Sequence, residues 1–420
     1  MKRPRPGVAF LLFLRSARLE RRRAILTVSA IAWSSFSLLL LLAFGEGLKR
    51  EVYRGTVGLG SNLAVIWAGE TGRSWKGLGP GRRIRPTVDD IGLLRERVAG
   101  ARAIVGEMHS FGVSMSFGAA TVNGMVVGTS PEYADMRNHF PRPGGRFINH
   151  LDEQRKRRVI FLGDELAEDI FGKETEPVGK TLLVGQVPYT VIGVMKKKLQ
   201  TGNYGGPDEK HAVIPITTFR VQFGWDILQN IVVKPESPER MSEVLAGVGR
   251  VLGARYGFDP DDRHALSAWN TVKTSELMLR ILEGVQLFLG FIGCLTLVMG
   301  GVGVANIMYA LVKERTREIG VKMALGARRG WIVGPLVMES LAYTAFGGIL
   351  GTLPAVGIIA LVSSIPKGGM DALQFLGKPA LSPSIGVAAA SILGLVGLLA
   401  GYLPARRAAS IDPALTLRYE

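Results

Sequence analysis

The chain has 420 residues, 47% of them hydrophobic, and a formal charge of +16. Charge of that size suits nucleic acid, an anionic lipid surface or the cytoplasmic loops of a membrane protein. Four apolar runs long enough for a bilayer core of about 30 Å decide for the last, and residues 45–283, with 32 basic and 28 acidic side chains, are too evenly charged for a nucleic-acid surface.

The N-terminal stretch VAFLLFLRSARLERRR is too short in its apolar part to insert, and it carries charge where a signal cleavage site would begin. It predicts a cytoplasmic amphipathic helix over 1–23. Phe10, Phe13, Leu14 and Ala17 share one face and Arg15, Arg18 and Arg22 the other. A basic flank that only orients the first span fits the same residues. Ala24–Phe44 is the first transmembrane helix.

Residues 45–283 read as one large domain outside the membrane. Two strand–helix units bracket it. SNLAVIWAG is followed by TVDDIGLLRERV, with Thr87 as cap and Asp90 three residues on. QNIVVKP is followed by SPERMSEVLAGVGRVLGARYG, with Ser237 as cap, Pro238 at the first helical position, and an apolar stripe of Met241, Val244, Leu245, Val248 and Leu252. Between them, over about 105–215, short β-branched runs with glycine punctuation predict strands and hairpins around one short helix, DELAEDIFG. The expected domain is therefore an α/β lobe with a β-rich lobe inserted.

Chemistry is sparse there. GKETEPVGKT lacks the glycine that a phosphate loop needs five residues before its GK[ST] and leads into LLVGQ, so it reads as a turn into a strand. His109, His139, His150, His211 and His264 show no ligand spacing, and no metal site is expected. No catalytic residues are indicated. RKRR at 155–158 and KKK at 196–198 read as solvated loop faces, with contact to anionic lipid or an acidic partner as the second reading. The one cysteine, Cys294, lies in a span, so the domain relies on its own core.

The remaining spans are Gly284–Val312, Ile332–Ile365 and Ile385–Leu403. The segments 1–23, 313–331 and 404–420 together carry 17 basic and five acidic residues, which places both termini and the insert between spans two and three in the cytoplasm. The 45–283 domain and the short loop 366–384 then face out. Glu339 is the only ionisable residue well inside a span; one carboxylate makes no hydrophilic path, and a hydrogen bond to another helix or to the insert is expected. Gly347-xxx-Gly351 and Gly397-xxx-Gly401 are spaced to let spans three and four pack closely. In the tail, Asp412 and Pro413 start a short helix.

Three pieces together resemble permeases of the MacB/FtsX-like group, the mechanotransmitting (type VII) ABC systems: RTREIGVKMALGARR after a glycine-rich span, Glu339 in VMESL, and the ending GLLAGYLPARRAASIDPALTLRYE. RPGGRFINHLDEQ…VIFLGDELAEDIFG…EPVGKTLLVGQVPYTVIGVM resembles the MacB-type periplasmic core domain. The resemblance covers almost the whole chain in order. It implies an integral membrane α-helical protein of four transmembrane helices plus a large α+β periplasmic domain, with a porter-like α/β lobe and an inserted β-rich lobe. MacB itself begins with an ATPase domain, whereas 23 residues precede the first span here, so the ATPase is expected as a separate cytoplasmic chain that binds ATP and magnesium. No cofactor is expected in this chain.

The resemblance also gives the insert a role, coupling to that ATPase, carried onto Glu314, Arg315, Arg317, Glu318, Ile319, Gly320, Met323, Ala324, Leu325, Gly326 and Ala327. The residues suit it. Glu314–Arg317 and Glu318–Lys322 are spaced for intrahelical pairing, the glycines allow a turn and a close approach, and Ile319, Met323, Ala324 and Leu325 offer an apolar contact. A loop that only fixed topology would need neither. If the second helix runs from about Thr271 to Glu318, at on the order of 70 Å it exceeds twice the bilayer core. Its outer part, 271–283 and onward, would form a stalk with Leu277, Ile281, Val285 and Phe288 on one stripe.

The expected function is that of a permease subunit at the inner membrane that is not itself an enzyme. Paired with a second copy or a paralogous permease, it would turn ATPase strokes into movement of the outer domains. The substrate would be a lipoprotein, peptide, lipid or antibiotic, with a periplasmic adaptor, carrier or outer-membrane component as further partner. The alternative is a transmitter that regulates a periplasmic partner such as a cell-wall hydrolase. A membrane-anchored enzyme would require a buried acid–base pair in the outer domain.

Overall fold

The computed structural model describes residues 21–200, 202–365 and 377–410. Among them four helices are long and apolar enough to cross a membrane: Arg21–Gly58, Thr271–Glu314, Arg329–Ser364 and Pro383–Ala408. They contain the expected spans, except that Ile365 stands one residue past its helix. Of the expected amphipathic helix, Phe10, Phe13, Leu14, Arg15, Ala17 and Arg18 lie outside the described residues, as do Asp412 and Pro413; Arg22 opens the first long helix. Residues up to Glu51 together with Arg280 onward form one compact unit, and Val52–Leu279 forms the other.

The second unit is built on nine strands: β1 (Ala64–Ala68), β2 (Ala101–Phe117), β3 (Ala120–Thr129), β4 (Val159–Leu162), β5 (Thr181–Val184), β6 (Val187–Val194), β7 (His211–Pro215), β8 (Asn230–Pro235) and β9 (Leu266–Asn270). The predicted strand–helix units appear as β1 with helix Val88–Arg97 and β8 with helix Met241–Tyr256. Thr87 and Asp90 form the expected capping box. Pro238 opens a single 3₁₀ turn before the second helix.

These pieces make one lobe. Its strands lie in the order β2-β8-β1-β9, every neighbour antiparallel. Strands β1 and β2 therefore run the same way with β8 between them, and β8 and β9 run the same way with β1 between them, which is a doubled split βαβ unit. Ile91, Leu94, Met241, Val244, Val248 and Leu252 from the two helices pack on Ala64, Ile66, Ile104 and Val233 of the sheet. That is the apolar stripe read from the sequence.

The inserted lobe is closed. Strand β2 is long enough to serve two sheets: Ala101–Glu107 pairs with β8, and Met108–Phe117 pairs with β3 and, at Met115 and Ser116, with β5. Since β3 pairs β7, β7 pairs β4, β4 pairs β6 and β6 pairs β5, six strands form a ring without a free edge. A register shift between Ser110 and Val113, with Gly112 at φ +67°, bends β2 into the ring. Gly185 and Gln186, at φ +52° and +72°, make the two-residue turn of the β5–β6 hairpin. The GKETEPVGKT segment is a loop running into β5, as expected.

The second long helix starts where the sheet ends. Asn270, the last residue of β9, accepts from the backbone N–H of Val272 at 3.0 Å and caps it. Thr271 Oγ1 donates to the Leu63 carbonyl at 2.7 Å, holding that start against the entry to β1. At its other end the helix stops at Glu314, four residues short of the expected Glu318. Thr316 Oγ1 lies 2.9 and 2.8 Å from the carbonyls of Val312 and Lys313, so its hydroxyl satisfies helix-end acceptors that a continuing backbone would otherwise take.

Candidate functional site

The charged insert is a nine-residue helix, Thr316–Ala324, between two long ones. Arg315, at φ −92° and ψ +11°, is the joint. The short helix ends in a Schellman motif: the N–H of Gly326 bonds the Met323 carbonyl at 2.9 Å and that of Ala327 bonds the Lys322 carbonyl at 3.0 Å. This requires the left-handed backbone that Gly326 adopts at φ +86°.

The residues grouped together in the sequence separate into two faces. Ile319 is 7% exposed and packs with Val304, Met308, Leu311, Ile332 and Leu336 of the long helices; Met323 lines the same cluster and Gly320 is buried. Leu325 is 83% exposed, and Glu314, Arg317, Glu318, Val321, Ala324 and Gly326 also face outward. The single apolar contact expected of Ile319, Met323, Ala324 and Leu325 is therefore corrected to an inner anchor and an outer tip. Glu318 pairs Lys322 at 2.6 Å as spaced, whereas Glu314 stands 3.8 Å from Arg23 of the first helix.

Glu339, buried in the third long helix, accepts from Arg315 Nη1 at 3.4 Å. The joint of the insert is thus held to a membrane helix by charge as well as by packing.

Both glycine pairs sit at close helix approaches, but not to the same neighbour. Cβ atoms on Gly397 and Gly401 would overlap Thr344 and Ser340 of the third helix, and Ser340 Oγ donates to the Gly397 carbonyl at 3.0 Å. Cβ atoms on Gly347 and Gly351 would meet Ile31 and Ala32 of the first helix. The expectation that Gly347 and Gly351 face span four is corrected, because the third helix lies against both. Leu277, Ile281, Val285 and Phe288 are all exposed along the second long helix.

Residues 24–251 match the MacB-like periplasmic core domain family, and 290–413 match the FtsX-like permease C-terminal family. The chain belongs to the MacB/FtsX-like family of ABC transporter permeases. It is 30% identical, over 99% of its length and 60% of the relative's, to the macrolide export ATP-binding/permease protein MacB of Rhodospirillum rubrum. It is 28% identical, over 96% of its length and 58% of the relative's, to the pyoverdine export ATP-binding/permease protein PvdT of Pseudomonas entomophila. The chain thus spans about three-fifths of the length of these relatives. Among solved structures, the extracellular domain of the noncanonic ABC-type transporter YknZ from Gram-positive bacteria is 21% identical with a TM-score of 0.41, covering 50% of this chain and 100% of that one. The periplasmic region of MacB from Actinobacillus actinomycetemcomitans is 17% identical with a TM-score of 0.42, covering 53% and 94%.

Within the core domain of this MacB/FtsX-like permease lies a buried charge network that sequence spacing did not signal. Asp208 accepts from Arg137 Nη2 and Lys198 Nζ, each at 2.6 Å, with His139 and His211 both 3.9 Å away. Glu107 accepts from Tyr204 at 2.7 Å and Asn230 at 2.8 Å and lies 3.4 Å from His109. The Arg137 guanidinium stacks 4.5 Å over Tyr204. Three histidines that look scattered in the sequence thus converge through β2, the Tyr133–Arg137 helix and β7. Lys198, expected on a solvated loop face, points inward instead. The acid–base pairing that an enzyme reading required is present, yet Glu107, Arg137 and Asp208 are each at most 1% exposed and their carboxylates are occupied by fixed donors. The arrangement ties Lys198, Tyr204 and Asp208 to Arg137 and Glu107.

Its electrostatics predict that the domain is destabilised by acid. Burial alone would raise Glu107, but the His109 ring, Arg137 and Asn230 bring it down to about 2. Burial pushes His139 down to about 3 against the pull of Asp208, and His211 is lowered by the same cause. A histidine depressed from 6.5 contributes stability that is present above that pH and lost as pH falls toward the folded value; Glu107 loses its contribution below 4.5. Unfolding of the full chain is therefore expected to become easier from pH 6.5 to 4, with His139 supplying a slope of about 1.4 kcal/mol per pH unit. Denaturant titrations at a series of pH values should show a shallower slope for His139→Gln than for wild type.

Proposed function

We propose that this permease transmits ATP-driven motion from the cytoplasm to its periplasmic core domain. The ATPase is a partner chain that binds ATP and magnesium, docking on the outer tip of the insert around Leu325, Val321 and the Glu318–Lys322 pair. Both termini lie in the cytoplasm of the inner membrane, in keeping with the positive segments around the insert. The observation that carries this reading is one uninterrupted 44-residue helix, Thr271–Glu314, capped by a sheet residue at one end and joined to the insert at the other. Displacement at Arg315 would be carried toward the core domain along this continuous backbone hydrogen-bond ladder.

The inner anchor supports the same reading. Ile319 and the Arg315–Glu339 contact fix the insert to the membrane helices, while Leu325 remains exposed for a partner. The exposed stripe of Leu277, Ile281, Val285 and Phe288 suits a second permease copy or paralogue. The substrate is a periplasmic or membrane-derived compound taken up outside the cytoplasm, in the range of lipoprotein, peptide, lipid or antibiotic; relatives named for macrolide export and for pyoverdine export support an exported compound. A periplasmic adaptor, carrier or outer-membrane component completes the route.

The test is co-purification of an ABC ATPase with the tagged chain from native membranes, comparing wild type with the Glu318→Lys/Leu325→Asp double variant. Recovery of the ATPase is expected to fall by roughly ten-fold or more, corresponding to about 1.4 kcal/mol or more of lost docking energy. The unfolding temperature of the permease should stay unchanged, since both side chains are exposed. Equal recovery from the double variant would reject docking at this tip.

A further inference from the structure

Close contacts at glycine lock the membrane helices to one another. A Cβ on Gly293 of the second long helix would overlap Leu38 of the first, and one on Gly301 would overlap Val396 of the fourth. Gly351 of the third meets the first, and Gly401 of the fourth meets the third, in the same way. Sliding one helix past another would drive side chains into these crossings, where no space is left for them. The soft point on the path from the insert therefore lies at its joint. The second helix ends at Glu314, and Arg315, at φ −92° and ψ +11°, belongs to neither helix. A single residue between two helices is where backbone torsions absorb movement.

That joint is clasped from three sides. Each of the other membrane helices sends one charged side chain to it or to the last turns before it. Arg23 of the first lies 3.8 Å from Glu314, the Arg407 guanidinium of the fourth lies 5.4 Å over the Tyr309 ring, and Glu339 of the third takes Arg315 at 3.4 Å. The three are unequal. Arg23 and Glu314 are both more than half exposed, so water and salt screen their pair, and Arg407 is exposed as well. Glu339 is 4% exposed and stands ten residues, about 15 Å, into the third helix. A carboxylate at that depth is costly unless a cation is drawn to it. Next to it, Ser340 bonds the Gly397 carbonyl of the fourth helix, which makes this part of the third helix a fixed point. The Arg315–Glu339 contact thus runs from the fixed set of helices to the one soft joint.

We infer that Glu339 is a positioning residue for coupling: through Arg315 it fixes the angle at which the insert leaves the second helix, so that a push on the insert turns the four membrane helices as one body. A joint free to bend would let the insert swing while the helices stood still. Clasped to the third helix, it passes the movement to all four. The stroke itself rests on the ATPase-coupling reading, whereas the fixed angle belongs to the permease alone.

Two labels on the full chain in lipid nanodiscs test this, each introduced as the sole thiol on a Cys294→Ser background. A spin label at Leu325→Cys, on the exposed tip, reads the joint without any ATPase. Its mobile component is expected to become the main one in Glu339→Gln and in Arg315→Gln, and to rise no further in the double variant, because one contact is lost in all three. A bimane label at Glu276→Cys, exposed near the outer end of the second helix, reads the stroke in the ATPase complex recovered from native membranes. Its response to ATP plus vanadate should fall several-fold in Glu339→Gln, while ATPase recovery and the thermal midpoint stay as in wild type. If Glu339→Gln lowers the midpoint, Arg315→Gln, at a part-exposed position, carries the comparison. Unchanged mobility at Leu325 in both single variants would overturn the inference, as would a full bimane response in Glu339→Gln. A tip freed in the variants together with no bimane response in wild type would uphold the positioning contact and count against ATP-driven transmission.

Discussion

Asp208→Asn should destabilise the core domain by about 3–5 kcal/mol, because it leaves Arg137 and Lys198 as buried cations without a carboxylate. Arg137 already has Nε and Nη1 without partners among the described residues, so no spare acceptor is at hand. Its aromatic neighbours hold it in place while offering only a weak substitute for an anion. The full chain in detergent, unfolded by heat and followed by tryptophan fluorescence, should show a fall in midpoint on the order of 10 °C. Trp67 and Trp269 flank Tyr204 at 5.8 and 6.3 Å and will report loss of the network. A triple replacement, Asp208→Leu with Arg137→Met and Lys198→Met, removes all three charges together and should recover much of the loss. If Asp208→Asn moved the midpoint no more than a surface change does, the closed network described here would be wrong.

Gly351→Ala should be the most damaging single methyl group in the membrane unit. A Cβ at that position would overlap the Ala32 carbonyl oxygen and come within 3.0 Å of the Ala32 carbonyl carbon and the Phe36 nitrogen. All three are backbone atoms, so no rotamer change relieves the clash and the first and third helices must separate. Overpacking of this kind costs about 1–3 kcal/mol, with rigid backbone neighbours at the upper end. Gly357→Ala lies on the same helix with nothing within 4 Å and should be silent. The midpoint of thermal aggregation for the two variants, measured side by side, separates helix propensity from packing. Equal values would show that the close approach does not exist.

Much of the architecture is legible in the residues. The spans follow from uninterrupted apolar length, the helix at Val88 from Thr87 and Asp90, and the stripe on Met241–Tyr256 from its period. Each of these depends on residues a few positions apart. The turn at the end of the insert was legible, because a Schellman ending needs Gly326 locally, but the break of the second helix at Arg315 was not. Nor was it legible which of the insert's apolar residues are anchors and which are exposed, because that depends on the helices against which Ile319 packs.

The same divide separates what the sequence determined about this protein from what tertiary structure decided. Length and periodicity determine a four-span protein with one large domain of strands and helices and a charged insert between two of the spans, since hydrophobic burial and helix or strand period are properties of contiguous residues. Closure of six strands through β2, convergence of His109, His139 and His211 on Asp208 and Glu107, and the choice of Ala32 as the neighbour of Gly351 were decided only in three dimensions. Each brings together groups distant along the chain. A buried charge or a missing side chain acquires its energy from the atoms that surround it, and those are supplied by the fold.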